Sequence, residues 1–167
     1  MEHFVEMLIS NINLGSKELT VFLLSALPVT ELRGSIPVGI LMFDLPPLHV
    51  YLLACFGNLV PVIPIVFFFD RIERLLEKHP FSARLINCYV EKVKNRTEKV
   101  AKFEMWGLAM FVAIPLPVTG AWTGSVAAFL LGMKSKRALI GIAAGVFIAG
   151  IIVSLLTLGG YKCYSFL

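Results

Sequence analysis

Charge is scarce in this chain. Only 16% of its 167 residues are Asp, Glu, Lys or Arg, against about 25% in a soluble domain, while 57% are hydrophobic and the mean hydropathy is +0.83. That balance excludes an ordinary water-soluble core and shell, and predicts an all-α integral membrane protein. The three cysteines, Cys55, Cys88 and Cys163, form neither a CxxC pair nor an even set, which argues against a disulfide framework and a metal site. His3, His49 and His79 show no ligand spacing, so no metal or cofactor is expected. The apolar blocks hold no carboxylate cluster, and no HExxH or Ser/His/Asp arrangement occurs, so no catalytic residue is assigned and an enzyme is not expected. Basic residues are absent before Lys17, whereas Glu2 and Glu6 are present, which is the wrong pattern for a cleaved signal peptide. Residues 1–17 read as a short amphipathic helix.

What is there is four apolar blocks, residues 19–43, 48–69, 105–133 and 138–160. Two are free of charge and just over twenty residues long, close to the roughly 20 needed to cross hydrocarbon. These, 48–69 and 138–160, are predicted transmembrane helices, the first kinked by Pro61 and Pro64. In the second, Gly141, Gly145 and Ala149 recur every four positions and form a face suited to close packing, within the protomer or across a dimer.

The other two blocks are interrupted near their middles, the first by Pro28, Glu31, Arg33, Gly34 and Pro37, the second by Pro115, Pro117, Gly120 and Gly124. Both read as re-entrant hairpins, because a lipid-facing helix cannot lose backbone hydrogen bonds and carry charges as well. Basic residues flank the second block on both sides, Lys92, Lys94, Arg96, Lys99 and Lys102 before it and Lys134, Lys136 and Arg137 after it. The positive-inside rule then keeps both flanks cytoplasmic. The turn Asp44-Leu45-Pro46-Pro47 has no basic residue and is assigned to the exterior. Leu27-Pro28-Val29-Thr30 recurs as Leu116-Pro117-Val118-Thr119, 89 positions later, and the same displacement lays span upon span. The expected architecture is an inverted repeat of hairpin plus transmembrane helix in a single membrane domain, with cytoplasmic amphipathic helices over 70–104 divided at Pro80. The basic excess of that segment suits anionic lipid, and lacks the aromatic interleaving of a nucleic-acid site.

Glu31 and Arg33 carry the chemistry that can be read from the residues. Arginine stays charged and offers a planar fork to phosphate or carboxylate, so Arg33 is the candidate head-group clamp. Glu31 can change charge and is the candidate proton-coupling group. Pro28, Thr30, Gly34, Pro37, Pro115, Pro117, Thr119, Gly120 and Gly124 form the backbone hinges of the two hairpins. Trp122 and Asn58 are candidates for lining a pathway; the alternatives are packing between helices for Trp122 and an interhelical hydrogen bond for Asn58, the bond being favoured.

The segments Glu31-Leu32-Arg33-Gly34-Ser35-Ile36-Pro37-Val38-Gly39 and Ile114-Pro115-Leu116-Pro117-Val118-Thr119-Gly120-Ala121-Trp122-Thr123-Gly124 resemble the paired signature of the small multidrug export proteins, a family similar to the DedA, or VTT-domain, superfamily. The resemblance covers nearly the whole chain. It implies two opposed re-entrant hairpins in a multi-pass protein of the cell membrane, acting as a transporter or flippase for an amphipathic small molecule or lipid. Polyprenyl-phosphate is a substrate inferred for the superfamily. DedA-type proteins carry an arginine in the second hairpin, whereas this one has no charge between Met105 and Met133. The expected partners are membrane lipids, the transported molecule and a second copy in a homodimer, with no nucleic acid. The alternative is a scaffold or assembly factor in which the Glu-Arg pair is structural.

Overall fold

The computed structural model describes residues 16–77, 98–115 and 119–165. Residues 1–15, which hold most of the expected amphipathic helix, the greater part of the 70–104 segment, and Pro117 lie outside the described residues. Every described element is a helix.

Helix α1 (Lys17–Ala26) begins at Ser16, whose Oγ accepts the N–H of Leu19 at 3.1 Å, the usual serine cap. It stops at Leu27, which is extended (φ −75°, ψ 140°) because the ring of Pro28 bars the residue before it from the helical region. Helix α2 (Glu31–Pro37) follows and widens into a π-helical turn over Val38–Met42 directly after Pro37, whose missing N–H takes one bond out of the ladder. Helix α3 (Pro47–Glu77) opens on a proline at its first position, where no N–H is needed, and runs 31 residues through Pro61 and Pro64. Helix α4 (Glu98–Ala113) ends ahead of Pro115. Helix α5 (Ala121–Leu130) is fixed at its start by Thr123, whose Oγ1 accepts the N–H of Gly120 at 2.9 Å. Helix α6 (Ser135–Ser165) is again 31 residues long.

The order helix, shorter helix, long helix therefore occurs twice, and the two turns that precede the long helices are built alike. Asp44 (φ 54°) and Gly132 (φ 62°) both adopt the left-handed conformation, Gly132 within a helix-ending motif in which Met133 N–H donates to Ala128 O at 3.0 Å. Asp44 lies 14 residues beyond Thr30, but Gly132 only 13 beyond Thr119. The surplus residue of the first half is accommodated in the π-helical turn, since such a turn is one residue inserted into an α-helix.

Two compact units emerge, one comprising residues up to Asn58 with Ala149 onward, the other Leu59–Ile148, so each long helix supplies one end to each unit. In the first, Val21, Leu24, Leu32, Ile36, Val50 and Ala54 form the core, and Gly57 of α3 sits so close to the Phe22 carbonyl and Ser25 hydroxyl of α1 that a side chain has no room. In the second, Leu108, Ala109, Val112, Ala128, Ile142 and Val146 are buried, and a Cβ on Gly145 would come within 2.6 Å of the Ala109 carbonyl. The Gly141 and Gly145 face of α6 is thus used within the chain, against α4.

Two helices are long and apolar enough to cross a membrane, over Pro47–Phe68 (22 residues) and Ser135–Tyr161 (27 residues). Only 39% of the best window of each is buried. On α3, Leu48, Leu52, Phe56, Val60, Ile63 and Phe67 form one exposed stripe at helical spacing. An apolar face of that length suits acyl chains rather than water.

Candidate functional site

The charged pair predicted from the sequence lies where α1 gives way to α2. Leu27 to Glu31 make a tight turn in which Glu31 N–H donates to Leu27 O at 3.0 Å, Gly34 N–H to Thr30 O at 2.9 Å, and the Thr30 hydroxyl to Leu24 O, a carbonyl of the last turn of α1. Pro28 is exposed at its outer edge, and Thr30, Gly34 and Pro37 are half-buried. Glu31 itself is left-handed (φ 45°), a conformation that costs a residue with a Cβ about 1–2 kcal/mol. It is only 7% exposed. A strained backbone holding a carboxylate inside the protein marks a position where placement of the side chain outweighs local comfort. Half-buried Arg33 feels the attraction of the Glu31 carboxylate. Residues two apart would not share a face of a regular helix; the left-handed φ of Glu31 marks the break at the first of the two.

The first unit buries further polar groups. Thr20 donates to Ser16 O at 3.2 Å and Ser25 to Phe22 O at 2.7 Å, both satisfied within α1 and its cap. Ser35 of α2 and Asn58 of α3 are fully buried. The interhelical hydrogen bond favoured for Asn58 is not made: neither Oδ1 nor Nδ2 has a partner among the described residues. Gly57 brings α1 to this level of α3, but the hydroxyl it brings, Ser25, gives its proton to the Phe22 carbonyl. Ser35, which sequence reasoning passed over, also leaves its hydroxyl without a partner among the described residues.

The second break shares the threonine tie of the first but not its charges. Ile114 N–H donates to Met110 O at 3.1 Å, the Thr119 hydroxyl to Ile114 O at 2.9 Å, and Gly124 N–H to Gly120 O at 2.8 Å. Thr30 and Thr119, equivalent in the repeated tetrapeptide, thus both tie their turn back to the end of the preceding helix. Gly120 and Gly124 are buried, and Pro115 and Trp122 half-buried. Ahead of the π-helical turn, at a displacement of 89, Thr20, Ser25, Glu31, Arg33 and Ser35 correspond to Ala109, Ile114, Gly120, Trp122 and Gly124; beyond it the displacement is 88, and Asn58 corresponds to Val146. At these positions the first half is polar and the second apolar, although the second half carries Thr123 and buried Ser125 where the first has Gly34 and Ile36. This position-by-position contrast is the signal that would have singled out Ser35. No group of His, Cys, Asp or Glu able to hold a metal occurs among the described residues.

The family model described as "Putative small multi-drug export protein" matches residues 31–152, from the left-handed Glu31 through both breaks into α6. No curated protein and no solved structure matches the chain.

Proposed function

The chain belongs to the small multi-drug export protein family, and from that premise we propose that it carries an amphipathic molecule across the bilayer, with Arg33 holding an anionic head group and Glu31 coupling the step to a proton. The observation that carries this reading is Glu31, buried and left-handed beside Arg33 at a break between two helices of 10 and 7 residues. Helices of that length rise about 15 and 10 Å, well short of a bilayer. They form a re-entrant element whose charged turn lies inside the membrane. The second break forms the opposed element of an inverted repeat, in keeping with transporters whose broken helices meet at mid-depth. In this reading the protein is a multi-pass protein of the cell membrane, performs no covalent chemistry, and works as a homodimer among lipids. Its substrate is of the DedA type, an anionic lipid or polyprenyl-phosphate.

Transport in proteoliposomes with single substitutions tests it. Glu31→Gln keeps shape and hydrogen bonding while removing the titration, so binding should persist and the pH dependence of transport should vanish. Arg33→Lys keeps the charge but loses the fork, and should weaken an anionic substrate by about 1–3 kcal/mol. If Glu31→Gln abolishes binding and Arg33→Lys changes little, the cargo is a cationic compound. If both lower the yield of folded protein and leave transport per molecule intact, the pair is structural and the protein a scaffold.

A further inference from the structure

Among the described residues, the buried polar or charged side chains of the first unit are Thr20, Ser25, Glu31, Ser35 and Asn58. The first two bond to carbonyls of their own segment, and Glu31 acts on Arg33. Ser35 and Asn58 are different. Each is 0% exposed, yet Ser35 Oγ, Asn58 Oδ1 and Asn58 Nδ2 meet no hydrogen-bonding partner among the described residues. A core seldom keeps such groups without a use for them, because an unmet buried donor or acceptor forfeits its hydration for nothing in return.

Their register places them at the break. Gly39 lies against Val50 and Val21, so the connection Phe43–Pro46 folds the start of α3 back onto the end of the hairpin, and we extend that contact as an antiparallel pairing of α2 with α3. One turn along both helices from that contact, Ser35 stands level with Ala54, and the next turn brings Glu31 level with Asn58. The approach of Gly57 to Phe22 and Ser25 sets Asn58 beside the end of α1. Ser35 and Asn58 therefore flank the turn that carries Glu31 and Arg33, one on each of two facing helices.

The geometry points to a second recognition element here: Asn58 and Ser35 bind an uncharged carboxamide on the transported molecule, next to the anionic group held by Arg33. Asn58 presents an acceptor and a donor side by side, and the complement of that edge is another amide; the Ser35 hydroxyl supplies a third contact. This rests on the transport reading above and narrows its substrate class to amphipaths that carry an amide beside a carboxylate or phosphate, as an N-acyl amino acid does.

The test compares two probes of one shape, N-decanoylglycine and decanoyloxyacetate, in which an ester oxygen replaces the amide N–H. Binding of each to the purified full chain in detergent is measured by titration calorimetry. The wild type should prefer the amide by about tenfold. Asn58→Leu should erase the preference without lowering the melting temperature of the ligand-free protein, since it exchanges an unmet amide for an apolar side chain of similar size. Ser35→Ala should reduce the preference, and decides the matter if Asn58→Leu folds poorly. Equal affinity of the wild type for both probes, or a full preference retained in the variants that fold, overturns the assignment. Arg33→Met separates this from the reading beneath it. Loss of both probes in that variant keeps Arg33 as the anion clamp whatever Asn58 does, whereas unchanged binding of both removes the clamp.

Discussion

The Nζ of Lys17, at the start of α1, donates to the carbonyl of Phe43, just past the π-helical turn, at 3.2 Å across 26 residues of sequence. The segment between them goes out through α1, turns at Leu27–Glu31, and comes back through α2 to where it began. A cation on the free carbonyls that end a helix is a favourable pairing, and here it fastens the two ends of the hairpin together.

Both ends of that hairpin should face one side of the membrane. Single cysteines at Ser16 and Asp44, in a background lacking Cys55, Cys88 and Cys163, are expected to react with an impermeant thiol reagent from the same side. Cysteines at Asn95 and Ser135 should react from the other. Labelling of Ser16 and Asp44 from opposite sides would turn the first hairpin into a simple span; a split between Asn95 and Ser135 would do the same for the second.

The glycines separate by environment. A Cβ at Gly57 would collide with the Phe22 carbonyl and one at Gly145 with the Ala109 carbonyl, and backbone cannot step aside. Gly57→Ala should therefore cost about 2 kcal/mol or more, and Gly145→Leu at least as much. Gly107 of α4 meets nothing within 4 Å. Gly107→Ala should be neutral or stabilise by up to about 1 kcal/mol through helix propensity. Thermal unfolding in detergent, with oligomeric state followed by light scattering, checks all three. Loss of assembly in Gly145→Leu with an unchanged melting temperature would move that glycine to an interface between copies.

The paired threonines should behave alike. Thr30→Val and Thr119→Val each remove one hydroxyl bond to the end of the preceding helix, and each is expected to cost about 1 kcal/mol. Thr→Ser at either position restores the donor and should recover most of it. A large loss at one threonine and none at the other would mean that the two turns only look alike.

The outline of the fold was legible because its signals are chemical extremes. Charge-free runs mark α3 and α6, and proline with glycine or charge marks the two breaks. Glu31 and Arg33 were visible because charge inside an apolar block has few explanations. Other features were hidden for definite reasons. The left-handed backbone at Glu31 carries no sequence signal, since a carboxylate is not what usually adopts it. Ser35 is an unremarkable serine until its complete burial and unmet hydroxyl are seen. A lone asparagine in a span usually finds a partner across the helix pair; Asn58 does not among the described residues, and nothing in the sequence marks it as the exception. The glycine stripe of α6 showed a packing face, but whether α4 or another copy filled it depended on tertiary structure.

The π-helical turn over Val38–Met42 makes the first hairpin intolerant of a change in length that the second would absorb differently. Removing one residue there would restore a regular helix and rotate everything upstream by about 100° relative to Asp44. Glu31, Ser35 and the hydrophobic side of α2 would swing away from α3 together, although none of these side chains had been altered. A single codon lost from this stretch should therefore disrupt the proposed site as fully as substituting Arg33, and chimaeras joining the first hairpin to the second half must keep the extra residue with it.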